Sequence, residues 1–396
     1  MSAEIGASPV AGDSPPDGTI RVMVVDDSAV IRGLITRMLG TDPAVTIVSS
    51  VGNGQMAVDV LSRHDIDVII MDIEMPVMDG LTALPKLLEI DPEIRVVMAS
   101  TLTIRNADTS MRALELGAVD YIPKPTSTRE INAGEDFRRE LLEKVRVHGL
   151  RPKRGLRRGP PGAPVRPVEA RRPVATPRPS APSRPMPAIY PPGPIQLRPP
   201  SPVKPSILAI GSSTGGPPAL FATLKDIRRS INMPVVITQH MPPMFTAILA
   251  QHIAKNCDWP SSEAKDGESL ENGHIYVAPG NYHMLFDQKG GKTVIRLTQD
   301  PPENFCRPAV DPMLRSLVNI YNGRVLAVIL TGMGADGLNG GRNVVEAGGT
   351  LFAQDEASSV VWGMPGAVAT AGICSAIVPL KEMGSRVMAY LEGKSK

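Results

Sequence analysis

Residues 207–218 read ILAIGSSTGGPP, an apolar run that breaks into small and hydroxyl residues and then into two prolines. The apolar run suits a buried parallel strand, and the prolines suit the first turn of a helix. Between them, residues 211–215 fit the Gly-x-Ser-x-Gly pattern, which exposes a serine on a sharp strand-to-helix turn. We therefore interpret Ser213 as a candidate nucleophile. Taken alone, the stretch fits a phosphate-binding helix start or a plain tight turn equally well.

Two further predicted strands in the second half of the chain end in groups that would suit a serine nucleophile. Residues 235–239 lead into His240, and residues 325–330 lead into a glycine-rich loop that carries Asp336. Parallel strands place their carboxyl ends at one edge of a sheet, so the three side chains are expected to converge. Serine, histidine and carboxylate are the nucleophile, base and orienting acid of acyl transfer. Three other histidines remain rival bases: His252, His274 and His283.

The first half of the chain alternates strand and helix five times between residues 20 and 147. This alternation predicts a doubly wound parallel sheet of five strands. Polar residues follow successive strands at the ends where such a sheet carries its site, namely Asp26 and Asp27, Asp72, Ser100 and Lys124. Converging carboxylates suit Mg²⁺, and Asp72 is placed to accept a phosphoryl group whose charge Lys124 would balance. Taken one at a time, each residue also fits a solvated loop start.

Composition limits the remaining function classes. The chain has 396 residues, enough for two or three domains with their own cores. Aromatic residues make up 4%, which argues against stacking platforms for single-stranded nucleic acid. The three cysteines form no CxxC pair, so we expect a reducing compartment and no metal cluster. No run has the length of a transmembrane segment or the place of a signal core, so we expect a cytoplasmic protein.

Residues 151–205 differ in composition from the rest of the chain. They hold 18 of the 40 prolines, and 12 Lys and Arg residues against one acid, Glu169. Proline removes backbone donors, so this segment is expected to be an extended tether. Because the whole chain carries +2, the segment's +11 leaves −9 for the remainder, and the folded parts are acidic. We expect no nucleic-acid partner, although a basic tether that binds nucleic acid or a membrane surface remains an alternative.

The first half resembles a known family. Residues 24–28 (VVDDS), residues 71–80 (MDIEMPVMDG) and Lys124-Pro125 are similar to the receiver domain of two-component response regulators. The resemblance spans residues 20 to about 145. It implies that Asp72 is the phosphoacceptor and that Lys124 pairs with the phosphate. It also implies Mg²⁺ on Asp26, Asp27, Asp72 and the backbone of Glu74, a switch hydroxyl on Ser100 and a rotating aromatic ring on Tyr121.

The second half resembles the catalytic domain of chemotaxis protein-glutamate methylesterases, the CheB family. The motifs are residues 209–217 (AIGSSTGGP), 239–242 (QHMP) and 330–337 (LTGMGADG), with further similarity at 276–280 and 307–311. The resemblance implies a Ser213–His240–Asp336 triad, with the backbone around Thr214 and Met333 near the oxyanion. The chain departs from the family at Ser212, where alanine is common, and in its longer linker. We expect Ser212 to be dispensable.

Together the two resemblances imply a complete domain plan and function. The plan is a disordered extension at 1–19, a receiver domain at 20–147, a Pro/Arg-rich linker at 148–205 and a methylesterase domain at 206–394. The implied function is hydrolysis of glutamate methyl esters and deamidation of glutamines on methyl-accepting chemoreceptors, activated when a histidine kinase phosphorylates a receiver that covers the catalytic strand ends.

The same resemblances imply Mg²⁺ in the receiver and no cofactor for ester hydrolysis. They imply contact with membranes only through receptor arrays. The alternatives are a response regulator whose output domain binds a phosphorylated ligand at residues 211–216 without catalysis, and a DNA-binding regulator that uses the basic tether.

Overall fold

The computed structural model describes residues 19–101, 103–124, 135–149, 195–227 and 231–394. The expected extension at 1–19 lies outside these residues except for Thr19, and so do Pro125 and residues 150–194 of the expected linker. Within the described ranges, no helix has both the length and the apolar character needed to cross a bilayer.

The first half of the chain forms a five-stranded parallel sheet in the order β2-β1-β3-β4-β5. Its strands are β1 (Ile20–Val25), β2 (Val45–Val51), β3 (Val68–Asp72), β4 (Arg95–Ser100) and β5 (Asp120–Pro123). Its helices are α1 (Ala29–Leu39), α2 (Gly54–Leu61), α3 (Gly80–Ile90), α4 (Ile104–Glu115) and α5 (Glu135–Gly149). The strand order reverses between β1 and β3, which opens a crevice at their carboxyl ends. The predicted doubly wound sheet is confirmed.

The first four helices begin where their sequence provides a capping side chain. An oxygen of Ser28, Asn53, Asp79 or Thr103 accepts a hydrogen bond from a backbone N–H in the first turn that follows. Such caps satisfy donors that would otherwise have no partner. Each capping residue therefore marks the point where the loop after a strand ends and the next helix begins.

The second half forms a seven-stranded parallel sheet in the order β14-β13-β12-β6-β7-β9-β8. Its strands are β6 (Ile207–Ser212), β7 (Val235–Gln239), β8 (Ser261–Glu263), β9 (Ile275–Val277), β12 (Val325–Ile329), β13 (Thr350–Gln354) and β14 (Ala376–Val378). Its helices are α6 (Gly216–Asp226), α7 (Phe245–Asn256), α8 (Val310–Tyr321), α9 (Leu338–Glu346), α10 (Met364–Thr370) and α11 (Leu380–Leu391). The predicted α/β class is confirmed.

A hairpin stands apart from this sheet. Strands β10 (His283–Lys289) and β11 (Lys292–Thr298) pair antiparallel around Gly290-Gly291. The sequence of residues 293–297 predicts β11, but its partner β10 was not predicted. Residues 270–279 also read as one strand, and the structure forms only the three residues of β9 there. The two glycines between strand-like runs are the hairpin signal that was available.

The two halves pack against each other through helices. Helix α4 contacts α6 and α7, and the Tyr121 ring stacks on Phe245, the first residue of α7, with centroids 4.8 Å apart. Buried side chains from both halves belong to one apolar cluster. The receiver-like half therefore lies against the helix that directly follows the His240 loop.

Part of the expected linker also packs on the second sheet. The N–H of Arg198 donates to the carbonyl of Cys374 at 2.8 Å, and the N–H of Ser201 donates to the Thr350 hydroxyl at 2.9 Å. The Tyr390 hydroxyl donates to the Ser201 carbonyl at 2.9 Å. Residues from 195 onward are thus attached to the second half before β6 begins.

Candidate active site

Ser213 lies on the turn between β6 and α6, as its motif predicts. Its N–H donates to the carbonyl of Thr331 at 3.0 Å, and its own carbonyl accepts from Gly216 at 2.7 Å. Gly215 has φ 73°, a left-handed conformation that glycine adopts without steric penalty. The chain therefore reverses sharply around Ser213 and enters α6 with Pro217 in its first turn.

Gln239, the last residue of β7, connects the candidate nucleophile to the candidate base. Its side-chain Nε2 donates to the carbonyl of Ser213 at 2.9 Å and to the carbonyl of His240 at 3.1 Å. Its Oε1 accepts from the Ser212 hydroxyl at 2.7 Å. At Gly216 a Cβ would lie 1.9 Å from this Oε1, so only glycine leaves room for the amide.

Sequence reasoning missed the role of Gln239. The available signal was an amide side chain at the end of an apolar strand, because buried polar groups are nearly always hydrogen-bonded. The residue is 2% exposed.

His240 and Asp336 form a pair. The Nε2 atom of His240 lies 2.7 Å from Oδ2 of Asp336, whose side chain is 1% exposed. Burial would raise the pKa of Asp336, but His240 and the backbone N–H groups of Val310 and Asp311 outweigh burial and lower it below its usual value. Asp336 therefore stays ionised and can orient the imidazole.

Two side chains that the sequence prediction did not assign hold Asp336 in place. The Asn304 amide donates to Asp336 Oδ1 at 3.0 Å and to Asp311 Oδ2 at 3.1 Å. Asp311 accepts from the N–H groups of Gly337 and Gly340 at 3.0 and 2.7 Å, which fixes the loop that carries Asp336. Burial, together with the charge of Asp336, raises the pKa of Asp311.

The second nitrogen of His240 faces a thiol. Nδ1 lies 3.3 Å from Sγ of Cys306. Burial would lower the pKa of His240, but Cys306 and Asp336 outweigh it and raise the pKa to about 10. Among the described residues, the Ser213 hydroxyl makes no hydrogen bond to His240. The structure thus brings the candidate base, His240, and the candidate acid, Asp336, together, while the hydrogen bond expected between Ser213 and His240 is not formed.

The three rival histidines are engaged elsewhere. His252 contacts Glu115 and Asp108 of α4 at 2.6 and 3.0 Å, and His274 contacts Ser262 at 2.8 Å. His283 bonds backbone groups at 301 and 309, both at 3.2 Å. Of the four histidines considered, only His240 contacts Asp336, which favours it as the base.

The N–H groups of Thr214 and Met333, predicted to lie near an oxyanion, are available. Across residues 195–227 and 231–394, neither has a hydrogen-bond acceptor. At Gly332 a Cβ would lie 2.8 Å from Cβ of Ser213, so the glycine lets the loop preceding Met333 approach the serine closely. Free N–H donors beside a nucleophile are the components of an oxyanion hole.

The carboxylates expected in the first half also converge. Ligand atoms of Asp26, Asp27 and Asp72 lie within 4.8 Å of one another. The Lys124 ammonium lies 2.6 Å from Asp26 and 2.7 Å from Asp72. Burial raises the pKa of Asp72, and Lys124 opposes that rise. Three clustered carboxylates fit a hard cation such as Mg²⁺, which takes oxygen ligands.

The remaining residues of this cluster differ in their surroundings. Ser100 is buried and accepts from the Ser110 hydroxyl at 3.1 Å. Tyr121 stacks on Phe245, as described above, and the Lys144 ammonium lies 5.4 Å from its ring centroid. The Glu74 side chain lies 3.6 Å from Arg105, and the part of its backbone in Mg²⁺ binding stays a prediction.

Comparison with known proteins identifies both halves. Residues 22–134 match the response regulator receiver domain, and residues 208–387 match the CheB methylesterase. A protein-glutamate methylesterase/protein-glutamine glutaminase of Paramagnetospirillum magneticum is 58% identical over 378 residues, which are 95% of this chain and 97% of the relative. This chain belongs to the CheB methylesterase family.

Other CheB-family proteins are similar over comparable lengths. A protein-glutamate methylesterase/protein-glutamine glutaminase of Azospirillum brasilense is 57% identical over 96% of this chain and 94% of its own length. The crystal structure of the Thermotoga maritima CheB methylesterase catalytic domain is 37% identical, with a TM-score of 0.46, over 48% of this chain and 100% of that domain. Membership in the CheB family confirms both resemblances seen in the sequence, while the roles of individual residues stay predictions.

Proposed function

We propose that this CheB-family chain hydrolyses γ-glutamyl methyl esters on methyl-accepting chemoreceptors, releases methanol, and deamidates receptor glutamines at the same site. The observation that carries the proposal is the contact of 2.7 Å between His240 and Asp336. The Gln239 amide, which donates to the carbonyls of both His240 and Ser213, connects this pair to the serine turn. A base and its orienting acid beside a serine turn are the components of acyl transfer.

The chemistry proceeds in two stages. His240 takes the proton of the Ser213 hydroxyl, and Oγ forms a bond to the ester carbonyl carbon. The resulting oxyanion accepts hydrogen bonds from the N–H groups of Thr214 and Met333. His240 then returns the proton to the departing methoxide, which leaves as methanol. Water, deprotonated by His240, cleaves the acyl-serine bond and regenerates the hydroxyl while glutamate is released. With glutamine, ammonia leaves in place of methanol.

Asp336 and Gln239 have supporting roles. Asp336 stays charged because its pKa is lowered, so it stabilises the imidazolium formed in each stage. Gln239 fixes the backbones of Ser213 and His240 relative to each other, because its amide donates to both carbonyls. No step of the hydrolysis is assigned to a cofactor.

The receiver controls access to this site. Asp26, Asp27, Asp72 and the backbone of Glu74 would hold Mg²⁺, which when bound would neutralise charge on phosphoryl oxygens. A histidine kinase supplies the phosphoryl group to Asp72, and Lys124 pairs with it. The added charge repacks Ser100 and Tyr121, and Tyr121 then leaves Phe245. The chain works in the cytoplasm and meets membranes only through receptor arrays.

The test is methanol release from methylated receptor, with and without a phosphodonor. Wild-type chain is expected to release methanol faster with the phosphodonor. Ser213→Ala is expected to lower kcat by about 10⁶, because a triad without its nucleophile retains little activity. Full hydrolysis by Ser213→Ala would instead favour the alternative of an output domain that binds a ligand without catalysis.

A further inference from the structure

Three consecutive residues of one loop contact three different parts of the molecule. We call residues 303–306 the 303–306 loop. The Asn304 amide donates to Asp336, the Phe305 ring lies 5.6 Å from the Arg139 guanidinium of α5, and the Cys306 sulfur lies 3.3 Å from Nδ1 of His240. The loop therefore connects the orienting acid, the receiver and the base.

The 303–306 loop is a tight turn with fixed ends. The N–H of Glu303 donates to the carbonyl of Cys306 at 3.1 Å, and the reverse bond measures 2.9 Å. The Glu303 carboxylate accepts from both terminal nitrogens of Arg315 on α8. Asn304 and Phe305 have φ of 52° and 63°, in the left-handed region that asparagine tolerates and that is uncommon for a bulky residue such as phenylalanine. The backbone bonds and the Arg315 ion pair fix both ends of the turn, so the positions of Asn304, Phe305 and Cys306 are coupled.

We propose that Cys306 is a positioning residue that holds Nδ1 of His240 away from Ser213 while the receiver is docked. The proposal rests on the proposed function, in which Ser213 is the nucleophile and His240 the base. It adds a residue that regulates the base without touching the substrate.

The argument begins with the two ring nitrogens. Nε2 of His240 is committed to Asp336 at 2.7 Å, so Nδ1 is the nitrogen that remains to take the Ser213 proton. The Cys306 sulfur lies at that nitrogen. A sulfur at this distance takes the hydrogen-bonding position of Nδ1, whether it accepts from the N–H of the imidazolium or donates to the lone pair of the neutral ring, so the serine hydroxyl cannot bond there. His240 can serve Ser213 only after Cys306 moves.

The charge state of His240 points the same way. Cys306 and Asp336 raise the pKa of His240 to about 10, in spite of burial. A raised pKa favours the protonated imidazole, which has no lone pair with which to accept the serine proton. Removing the sulfur removes its contribution to the raised pKa, while burial continues to lower the pKa and Asp336 continues to raise it. The deprotonated, catalytically useful form then becomes more abundant at neutral pH.

The receiver has a direct contact with this loop. Phe305 is 89% exposed, and the Arg139 guanidinium lies 5.6 Å from the centroid of its ring, within the range of a solvent-exposed cation–π contact. Phe305 is the neighbour of Cys306, so undocking of α5 removes a contact one residue away from the thiol. The 303–306 loop thereby links undocking of the receiver to loss of the contact between Cys306 and His240.

The experiment compares full-length wild type with Cys306→Ala and Cys306→Ser, in methanol release from methylated receptor with and without phosphodonor. Cys306→Ala is expected to raise the rate without phosphodonor by about threefold to tenfold, since each unit by which a base's pKa falls increases its deprotonated fraction about tenfold. The acid limb of its pH–rate profile should move to lower pH. Cys306→Ser keeps a hydrogen-bonding group at Nδ1 but loses the electrostatic effect of the sulfur, so its rate without phosphodonor is expected to lie between those of wild type and Cys306→Ala. Cys257→Ala, a change at a half-buried cysteine beyond α7, is the matched control.

A second measurement does not depend on substrate. The ring signals of His240, followed by NMR in the full chain, should titrate at lower pH in Cys306→Ala than in wild type. An unchanged titration together with an unchanged rate would overturn the proposal. Equal loss of rate with and without phosphodonor would overturn it as well, because Cys306 would then support the base. Wild type that releases no methanol under any condition would remove the proposed function itself, and this proposal with it.

Discussion

Gln239 is a single side chain whose loss should affect two proposed catalytic residues, Ser213 and His240, together. Gln239→Leu removes the donors to the Ser213 and His240 carbonyls, and a displacement of about 1 Å at a catalytic group lowers rates about 10²-fold. We expect kcat for methanol release to fall by that order while KM changes little. Gln239→Glu keeps an acceptor for Ser212 but loses both donors, so it should resemble Gln239→Leu.

Ser212→Ala is the matched comparison for Gln239. It removes one hydrogen bond to the amide and leaves both donors in place, so we expect kcat to stay within about fivefold of wild type. This agrees with Ser212 being dispensable as a nucleophile. A fall as large as that of Gln239→Leu would show that the orientation of the amide depends on the Ser212 hydroxyl.

His240 should also give stability a defined pH dependence. Its pKa is raised from 6.5 to about 10, so its folded form binds the proton more tightly than the unfolded chain does. The stabilisation is therefore fully present below pH 6.5 and is lost as pH rises through about 10. Urea unfolding of wild type, measured relative to His240→Gln, should show a free-energy difference that shrinks by at least about 1 kcal/mol across this window. A difference that grew with pH would contradict the raised pKa.

Helices α4 and α7 meet around one histidine. His252 of α7 contacts Asp108 and Glu115 of α4, and Asn256, one turn further on, also bonds Glu115. His252→Ala should weaken docking of the receiver and raise methanol release without phosphodonor by about fivefold, a modest coupling between two sites. His274→Ala changes a histidine whose partner, Ser262, lies within the second half, and it should leave that rate unchanged. Equal effects of the two changes would argue against a role of the α4–α7 contact in inhibition.

The sequence predicted long elements better than short ones. The strands β6, β7 and β12 read as continuous apolar runs because helices cover both faces of a parallel sheet. The three-residue strands β8 and β14 have no such run and were missed. Helix α10, with seven residues, was missed for the same reason, since its pattern is too short to establish a period.

The molecule as a whole is expected to respond to phosphorylation through Asp72. Asp72→Asn removes the carboxylate that we propose as the phosphoacceptor, so phosphodonor should no longer raise methanol release, while the rate without phosphodonor should stay near that of wild type. Asp79→Asn is the matched control. Asp79 caps α3, and asparagine caps a helix about as well as aspartate. Full activation of Asp72→Asn by the phosphodonor would place the phosphorylation site elsewhere.

The two halves of the molecule are joined by an aromatic contact and by apolar packing. Tyr121 was expected to act as a switch within the receiver, and the structure gives it a partner outside the receiver, Phe245. The neighbouring apolar residues of both halves form a continuous cluster. Separation of the halves would expose this apolar surface to water, which favours the docked arrangement. We propose that a phosphoryl group on Asp72 opposes docking through the Ser100–Tyr121 region.

Sequence patterns were sufficient for both parallel sheets, for the loops that end in Ser213, His240 and Asp336, and for the carboxylates around Asp72. These features depend on local periodicity and on the rule that parallel strands end at one edge. The contacts of Gln239 and Cys306 were not predictable in this way. Cys306 meets His240 across 66 residues of chain, and Arg139 reaches Phe305 from the other half. Such contacts follow from how loops of different elements pack together, and no local pattern in the chain records that packing.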